Sequence, residues 1–402
     1  MPSAPGASCW PSTGRRSPSA RALVDDPFEQ ARAHFFAALG RQEAGDLVEA
    51  ERLYRASLDL VPGRASTLIN LAAVQLRLAR PGDALQSAEA ALAAEQDSAD
   101  AMLHRATALA QLGRAEEALA AFQRLLAIDP HHAAAWSASG TLLREMHRLD
   151  EAGHAFREAL RHGADGDLHA FYLASVEAGA APGTAPAAYV AGLFDSYADE
   201  FDRHLVGALR YQAHRQLVDQ LVSACGDDVR FRSALDLGCG TGLCGPLVRP
   251  MAARLTGVDL SARMIEKARS LDVYDRLEHG DIVEFLGAGE EHWDLVLVAD
   301  VFIYVGDLEP VFARLERAMT EGVFCFSVES LDSDGDGLRL LPSLRYAHSR
   351  AYLERLASQH GFAVVAMKDA PVREDQGQVV EGLYVVLRRA PSPGRPQAES
   401  RK

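Results

Sequence analysis

The chain has few cysteines, a deficit of positive charge and no long apolar run, and each shortage closes off a class of protein. Its five cysteines (Cys9, Cys225, Cys239, Cys244 and Cys325) are odd in number and form no C-x-x-C pair. That excludes a disulfide-stapled scaffold and a thiolate zinc module, and leaves reduced, buried thiols in a cytoplasmic protein as the reading. Lys and Arg number 41 against 56 Asp and Glu, a net charge of −15. The chain as a whole therefore lacks the electrostatic footprint of a nucleic-acid binder. No apolar run reaches the length that spans a bilayer, so no membrane partner is expected. What is present is ordinary for globular protein: 48% hydrophobic and 24% charged residues over 402 positions, enough for two or three domains.

Residues 1–26 are rich in Ser, Pro, Ala and Arg, and Pro2, Pro5, Pro11 and Pro18 interrupt the apolar centre that a secretory signal needs. A disordered segment is expected there, with an organelle-targeting peptide as the alternative. Then a repeat begins. Ala50, Ala84, Ala118 and Ala152 stand 34 residues apart, each directly after an acid (Glu49, Asp83, Glu117, Glu151). Four residues further on come Tyr54, Ala88, Phe122 and Phe156; Pro62 and Pro130 close two of the units, and Gly45 and Gly113 mark the turn inside two. A small residue lets paired helices approach, and a large ring fills the gap between units, as a stacked helix-turn-helix array requires. The pattern resembles the tetratricopeptide repeat (TPR), in four units over 31–64, 65–98, 99–132 and 133–166, with 167–176 as a capping helix. The resemblance implies an α/α-solenoid over 27–177 whose groove takes a protein partner or substrate. Residues 178–186, all small residues and prolines, read as a linker.

The second half is organised around Ser233-Ala-Leu-Asp-Leu-Gly-Cys-Gly-Thr-Gly242 and Gly257-Val-Asp-Leu-Ser261. An apolar run too short for a helix breaks into glycines at alternate positions, and a second short strand ends on Asp259, 17 residues beyond Gly242. Glycines let backbone pass close under a ligand. A carboxylate at the second strand end accepts the hydroxyls of a ribose. The two segments resemble the first and second motifs of the class I S-adenosylmethionine-dependent methyltransferases. A dinucleotide fold would place its third glycine at position 243, which is Leu243; this counts against a nicotinamide dehydrogenase.

That resemblance implies an α/β Rossmann-like, seven-stranded methyltransferase domain over 187–390, a disordered tail over 391–402, and S-adenosyl-L-methionine as cofactor. It assigns cofactor contacts to Asp236, Gly238, Cys239, Gly240 and Gly242, to Asp259 and Leu260, and to Met264 on the adenine face. Asp281 and Ile282 after the third strand, and Ala299 and Asp300 at the end of the fourth (Trp293–Asp300), complete the set. Tyr197, four residues before Phe201 on one helix face, reads as a cofactor lid. A helix from about Leu243 is expected to aim its N-terminus at the methionine carboxylate. Strands are expected at 322–328, 361–367 and 382–387, the last two antiparallel at the sheet edge.

The acceptor is harder to read, because the sulfonium is already activated and positioning supplies most of the rate. Asp300-Val-Phe-Ile stands where amino-methylating enzymes resembling this one carry Asn-Pro-Pro-aromatic, and the Pro-Cys of cytosine-5 enzymes is absent. Oxygen or nitrogen on a protein or a small molecule remains. His348, within Arg345–Ser349, is the candidate general base, and Tyr304 the other catalytic candidate. No metal is expected. Asp332-Ser-Asp-Gly-Asp336 opens like a calcium loop, but Ser343 stands where a bidentate Glu belongs. His131-His132 lacks further ligands at metal spacing. Two functions fit: a methyltransferase whose repeats recruit a partner or substrate, or a TPR scaffold whose cofactor domain is non-catalytic.

Overall fold

A computed structural model describes residues 26–177, 179, 181–198, 211–289, 291–331, 337–375 and 378–390. The chain divides into two compact units between His169 and Ala170. The first is a row of antiparallel helix pairs: α1 (Pro27–Glu43) with α2 (Leu47–Leu60), α3 (Ala65–Arg77) with α4 (Pro81–Ala94), α5 (Ala99–Gln111) with α6 (Ala115–Ile128), and α7 (Ala133–Glu145) with α8 (Leu149–Arg161). The period explains the packing. Ala50, Ala84, Ala118 and Ala152 are fully buried, as are Tyr54, Phe122 and Phe156 to within 1%. Gly140 on α7 is small because a Cβ there would stand 2.6 Å from the Phe156 ring. The turn inside each pair uses one left-handed residue: Gly45 (φ 82°), Ala79 (55°), Gly113 (74°) and His147 (59°). Only two of these are glycines, so the register of the repeat, rather than glycine itself, sets the turn.

Helix α9 (Gly166–Val176) contains the division, and the second unit continues with α10 (Ala187–Tyr197) and α11 (Ala213–Cys225). Alternating strands and helices follow: β1 (Ala234–Leu237), α12 (Gly245–Val248), β2 (Leu255–Asp259), α13 (Ala262–Arg269), β3 (Arg276–His279), α14 (Ile282–Ala288) and β4 (Leu295–Val298). Then come α15 (Glu309–Ala318), β5 (Gly322–Ser330), β6 (Leu338–Leu340), β7 (Tyr346–His348), α16 (Arg350–Gln359), β8 (Phe362–Asp375) and β9 (Gln378–Arg389). The sheet runs β3-β2-β1-β4-β5, all parallel, and β9 then pairs antiparallel with both β5 and the edge strand β8. Strands β1 and β4 are buried throughout, as strands covered on both faces must be.

Three features differ from the sequence reading. Among the described residues the sheet has nine strands rather than seven. β6 and β7 form a hairpin, and β7 pairs with Glu329 and Ser330 of β5, beyond the point where β4 ends. His348, the candidate base, is thus on a strand at the carboxyl end of the sheet. Second, the helix expected from Leu243 is a single turn, because Pro250 lacks the N–H that would extend it and a 3₁₀ turn follows at once. So short an element supplies little dipole. Third, the stretch read as a linker is held by backbone bonds: Ala185 N–H donates to the Tyr304 carbonyl (2.9 Å), Asp307 N–H to the Gly183 carbonyl (2.8 Å), and Tyr346 Oη to the Pro182 carbonyl (2.6 Å). Composition could not show this, since the segment itself contributes mainly backbone atoms. The 332–336 acidic loop and Phe201 lie outside the described residues.

Candidate functional site

Parallel strands β1, β2 and β4 end side by side, and the turns leaving them form the site. After Asp236 the chain folds back so that the N–H groups of Gly238 and Cys239 both donate to the Val258 carbonyl of β2 (2.7 and 2.9 Å). The glycines have different neighbours. A Cβ on Gly238 would lie 2.2 Å from the Val301 side chain, and one on Gly257 about as close to Leu277 and Tyr274 as van der Waals contact forbids (2.8 and 3.0 Å). Gly242 faces Leu271 and Tyr274 in the same way (2.9 and 3.1 Å). These glycines make room for protein. Gly240 (φ 55°) is the exception, with no atom within 4 Å of its Cβ position.

Beneath Gly240 lies the carboxylate of Asp259. Its Oδ2 accepts the Gly240 N–H and its Oδ1 the Ser261 N–H, each at 2.8 Å. A carboxylate oxygen has two lone pairs, so each keeps one for a further donor. Burial pushes the Asp259 carboxyl above the usual carboxylate range, and the two N–H groups pull against it. A pair of aligned acceptor oxygens beside an open glycine face fits the vicinal hydroxyls of a ribose.

The other residues assigned from sequence fall around this point. Asp236 is buried beneath the turn and accepts the Tyr274 hydroxyl (2.7 Å); burial raises its pKa to about 7. It supports the loop from below. Cys239 is in the turn and nearly buried, its thiol pushed up by burial. Leu260 follows Asp259, and its carbonyl accepts from His279 Nε2 (3.0 Å). Met264 is fully buried in the first turn of α13. Asp281 caps α14, Oδ1 accepting from Val283 and Glu284 (2.8 and 3.0 Å), and Ile282 is buried behind it. Tyr197 is the last residue of α10, and its side chain lies outside the described residues.

Ala299 and Asp300 follow the end of β4. Asp300 adopts φ 58°, a strained conformation for a residue with a side chain, and its N–H donates to Ser327 Oγ (2.9 Å). Arg373 of β8 reaches both of its oxygens (3.3 and 3.5 Å) and also hydrogen-bonds Glu329 of β5. Burial lifts Asp300 to about 6, with Arg373 opposing. Tyr304 is also near; burial raises its phenol to about 12, so it remains a donor at neutral pH. His348 does not join this group as a free base. It is fully buried, Nε2 sits 2.8 Å from the Gly306 carbonyl, and burial lowers it to about 4. With a proton on Nε2, only Nδ1 could take another, and Nδ1 is enclosed without a hydrogen-bond partner among the described residues.

Sequence reasoning missed Tyr274, Ser261, Glu329 and Arg373. Ser261 is signalled as an N-cap by its place before α13. The other three come from separate strands and loops, and nothing local marks them. His131 and His162 bring their Nδ1 atoms to 3.2 Å, yet no group of three or more His, Cys, Asp or Glu is placed to hold a metal ion among the described residues.

Fold and site together define an α/β unit with a glycine turn over a strand-end carboxylate, preceded in the chain by a helical-repeat unit. Comparison with known families then specifies both. The methyltransferase domain family matches residues 235–327, and the tetratricopeptide repeat family matches 79–139 and 109–174. The chain carries a methyltransferase domain and TPR repeats, and S-adenosyl-L-methionine is the cofactor of that domain. Human methyltransferase-like protein 27 is 36% identical over 107 residues, 26% of this chain and 43% of that protein. The malonyl-[acyl-carrier protein] O-methyltransferase of Enterobacter lignolyticus is 29% identical over 162 residues, 37% of this chain and 61% of that one. The chain thus spans about half the length of the curated relatives it matches. Among solved structures, the 1,6-didemethyltoxoflavin-N1-methyltransferase of Burkholderia thailandensis has a TM-score of 0.41 at 21% identity, covering 52% of this chain and 93% of that chain.

Proposed function

We propose that this protein transfers a methyl group from S-adenosyl-L-methionine to an oxygen or nitrogen acceptor, and that its repeats recruit a protein partner or substrate. The observation that carries this reading is the Asp259 carboxylate, with an acceptor site left on each oxygen beside the open face of Gly240. Asp259 would hold the ribose hydroxyls. Leu260, Met264, Asp281 and Ile282 would bound the adenine, and the Gly238–Gly242 turn the remainder of the nucleoside. When bound, the cofactor supplies an activated methyl group on sulfur.

The chain's own task is then orientation and proton handling. Asp300, lifted to about 6 by burial, can take the proton an amine or hydroxyl acceptor gives up. Arg373 holds that carboxyl in place through Nη1. Tyr304, still protonated at neutral pH, can orient an acceptor by donating a hydrogen bond. His348, pinned on the Gly306 carbonyl, steadies the β7 segment rather than exchanging protons. In the other unit, α3 packs on α5 and α5 on α7, so the first helices of successive pairs present one continuous face for a partner.

The test uses purified full-length protein. Calorimetry should show S-adenosylhomocysteine binding, and labelled cofactor should pass its methyl group to a component of a cell lysate. Asp259→Ala should weaken binding about 100-fold or more, the loss of two hydrogen bonds to a charged group, and abolish transfer. Absence of binding by the unaltered protein at millimolar ligand would overturn the assignment.

A further inference from the structure

Helix α10 contains none of the glycine-turn or strand-end residues, yet it is bonded to the loop that follows Asp259. Asp195 Oδ1 accepts the hydroxyl proton of Ser261 at 2.5 Å and, more weakly, the Arg263 N–H at 3.4 Å. The Asp195 carbonyl accepts from Arg263 Nη1 at 2.8 Å, so side chain and backbone are held together. Ser261 is completely buried. Its hydroxyl accepts the Met264 N–H (3.1 Å), while its own N–H is one of the two that aim the Asp259 carboxylate. One serine therefore joins helix α10, the start of α13 and the ribose carboxylate. One residue away, Phe194 packs edge-on against Tyr304, ring centroids 5.6 Å apart. The same helix thus touches the loop beside the cofactor carboxylate and the tyrosine on the acceptor side.

We propose that Asp195 is a positioning residue of the nucleoside site: through Ser261 and Arg263 it fixes the aim of the Asp259 carboxylate and seats α10 between the ribose loop and Tyr304. This rests on the reading that Asp259 holds the cofactor ribose. The physical reason is the single proton of the serine hydroxyl. With Asp195 as its acceptor, that proton points at α10 and a lone pair faces Met264 N–H. Without Asp195 a fully buried hydroxyl loses its acceptor and is free to turn towards another, and the loop loses its anchor. A second carboxylate close to Asp259 also increases the demand of that pair for donors, which ribose hydroxyls meet.

Calorimetry with S-adenosylhomocysteine on the full chain separates the possibilities. Asp195→Ala should weaken binding about tenfold, one hydrogen bond to a charged acceptor. Asp195→Asn keeps an amide oxygen for the Ser261 hydroxyl and should recover most of the affinity. The ligand-free unfolding midpoint should be kept in Asp195→Asn and fall by a few degrees in Asp195→Ala, where the buried Ser261 hydroxyl loses its acceptor. Ser261→Ala, which keeps the backbone N–H on Asp259, should match the loss seen with Asp195→Ala and serves if that variant does not fold. Affinity within twofold of the unaltered protein for Asp195→Ala or Ser261→Ala would overturn the inference. So would equal weakening in the Ala and Asn variants with a lowered midpoint in both, which marks a folding defect. If the unaltered protein binds no S-adenosylhomocysteine, the methyltransferase reading fails and this inference with it; binding that ignores Asp195 removes the inference alone.

Discussion

In the helical unit the fully buried periodic positions are alanines met by Tyr54, Phe122 or Phe156. Most of its ion pairs, such as Arg114 with Glu117 and Arg148 with Glu151, lie on the surface one helical turn apart, and Glu51, held by Arg55 and Arg80, is its buried carboxylate. The sheet unit buries more ionisable groups, among them Asp236, Asp259, Glu329, Arg373 and His348. Surface pairs contribute little, whereas each buried ionisable group carries a desolvation cost that must be offset by aimed partners. The contrast separates an architecture that repeats one packing contact from one that concentrates polar groups at the ends of β1, β2, β4 and β5. On the function proposed above, chemistry belongs to the sheet unit and recognition to the surface of the repeats.

The largest way to break the contrast is Gly238→Ala. Its Cβ would lie 2.2 Å from Val301 at φ 70°, so about 3 kcal/mol or more of destabilisation is expected. Binding of S-adenosylhomocysteine should be lost in calorimetry, and denaturant unfolding read at Trp293 should shift while that at Trp136 does not.

Titration separates the units next. Asp236 is lifted to about 7 by burial, against about 3.9 in an unfolded chain. A raised acid pKa means the folded state holds a proton the unfolded state has lost. Stability is therefore fullest below about pH 4 and declines as pH rises to about 7, by up to roughly 1.4 kcal/mol per pH unit for one group. Asp236→Asn should flatten that decline in urea titrations at a series of pH values. His348, lowered to about 4, acts in the opposite sense, its stabilisation lost as pH falls from about 6.5 to 4. Its replacement by Gln should steepen the decline over that window.

Within the repeats, Gly140→Ala places a methyl 2.6 Å from the Phe156 ring. A loss of about 1–3 kcal/mol is expected, seen at Trp136, with affinity for S-adenosylhomocysteine unchanged. The smallest effect is a gain. Ala79 occupies a left-handed turn at φ 55°, and Ala79→Gly should raise the unfolding free energy by about 1 kcal/mol.

Legibility followed the same division. The 34-residue spacing is visible because each repeat contacts its neighbours in the chain, so Ala50, Ala84, Ala118 and Ala152 declare their partners in sequence order. Asp259 and the glycine turn were legible for a similar reason, since strand, turn, helix and strand are consecutive. The β6–β7 hairpin was not, because Leu338–Leu340 and Tyr346–His348 are too short for a periodic signal. Nor was the reason for most of the glycines. Gly238 and Gly242 read as clearance for a ligand, whereas Val301, Leu271 and Tyr274 occupy that space.

Sequence alone determined that this chain stacks four helix pairs and follows them with a glycine turn and a strand-end carboxylate, because both patterns depend on near neighbours along the chain. Tertiary structure alone decided that His348 is enclosed, that Arg373 joins Asp300 to Glu329 from 44 or more residues away, and that Asp195 reaches Ser261 across 66. Those contacts depend on how distant strands and helices meet, and the energy of a buried polar group depends on partners that local sequence does not name.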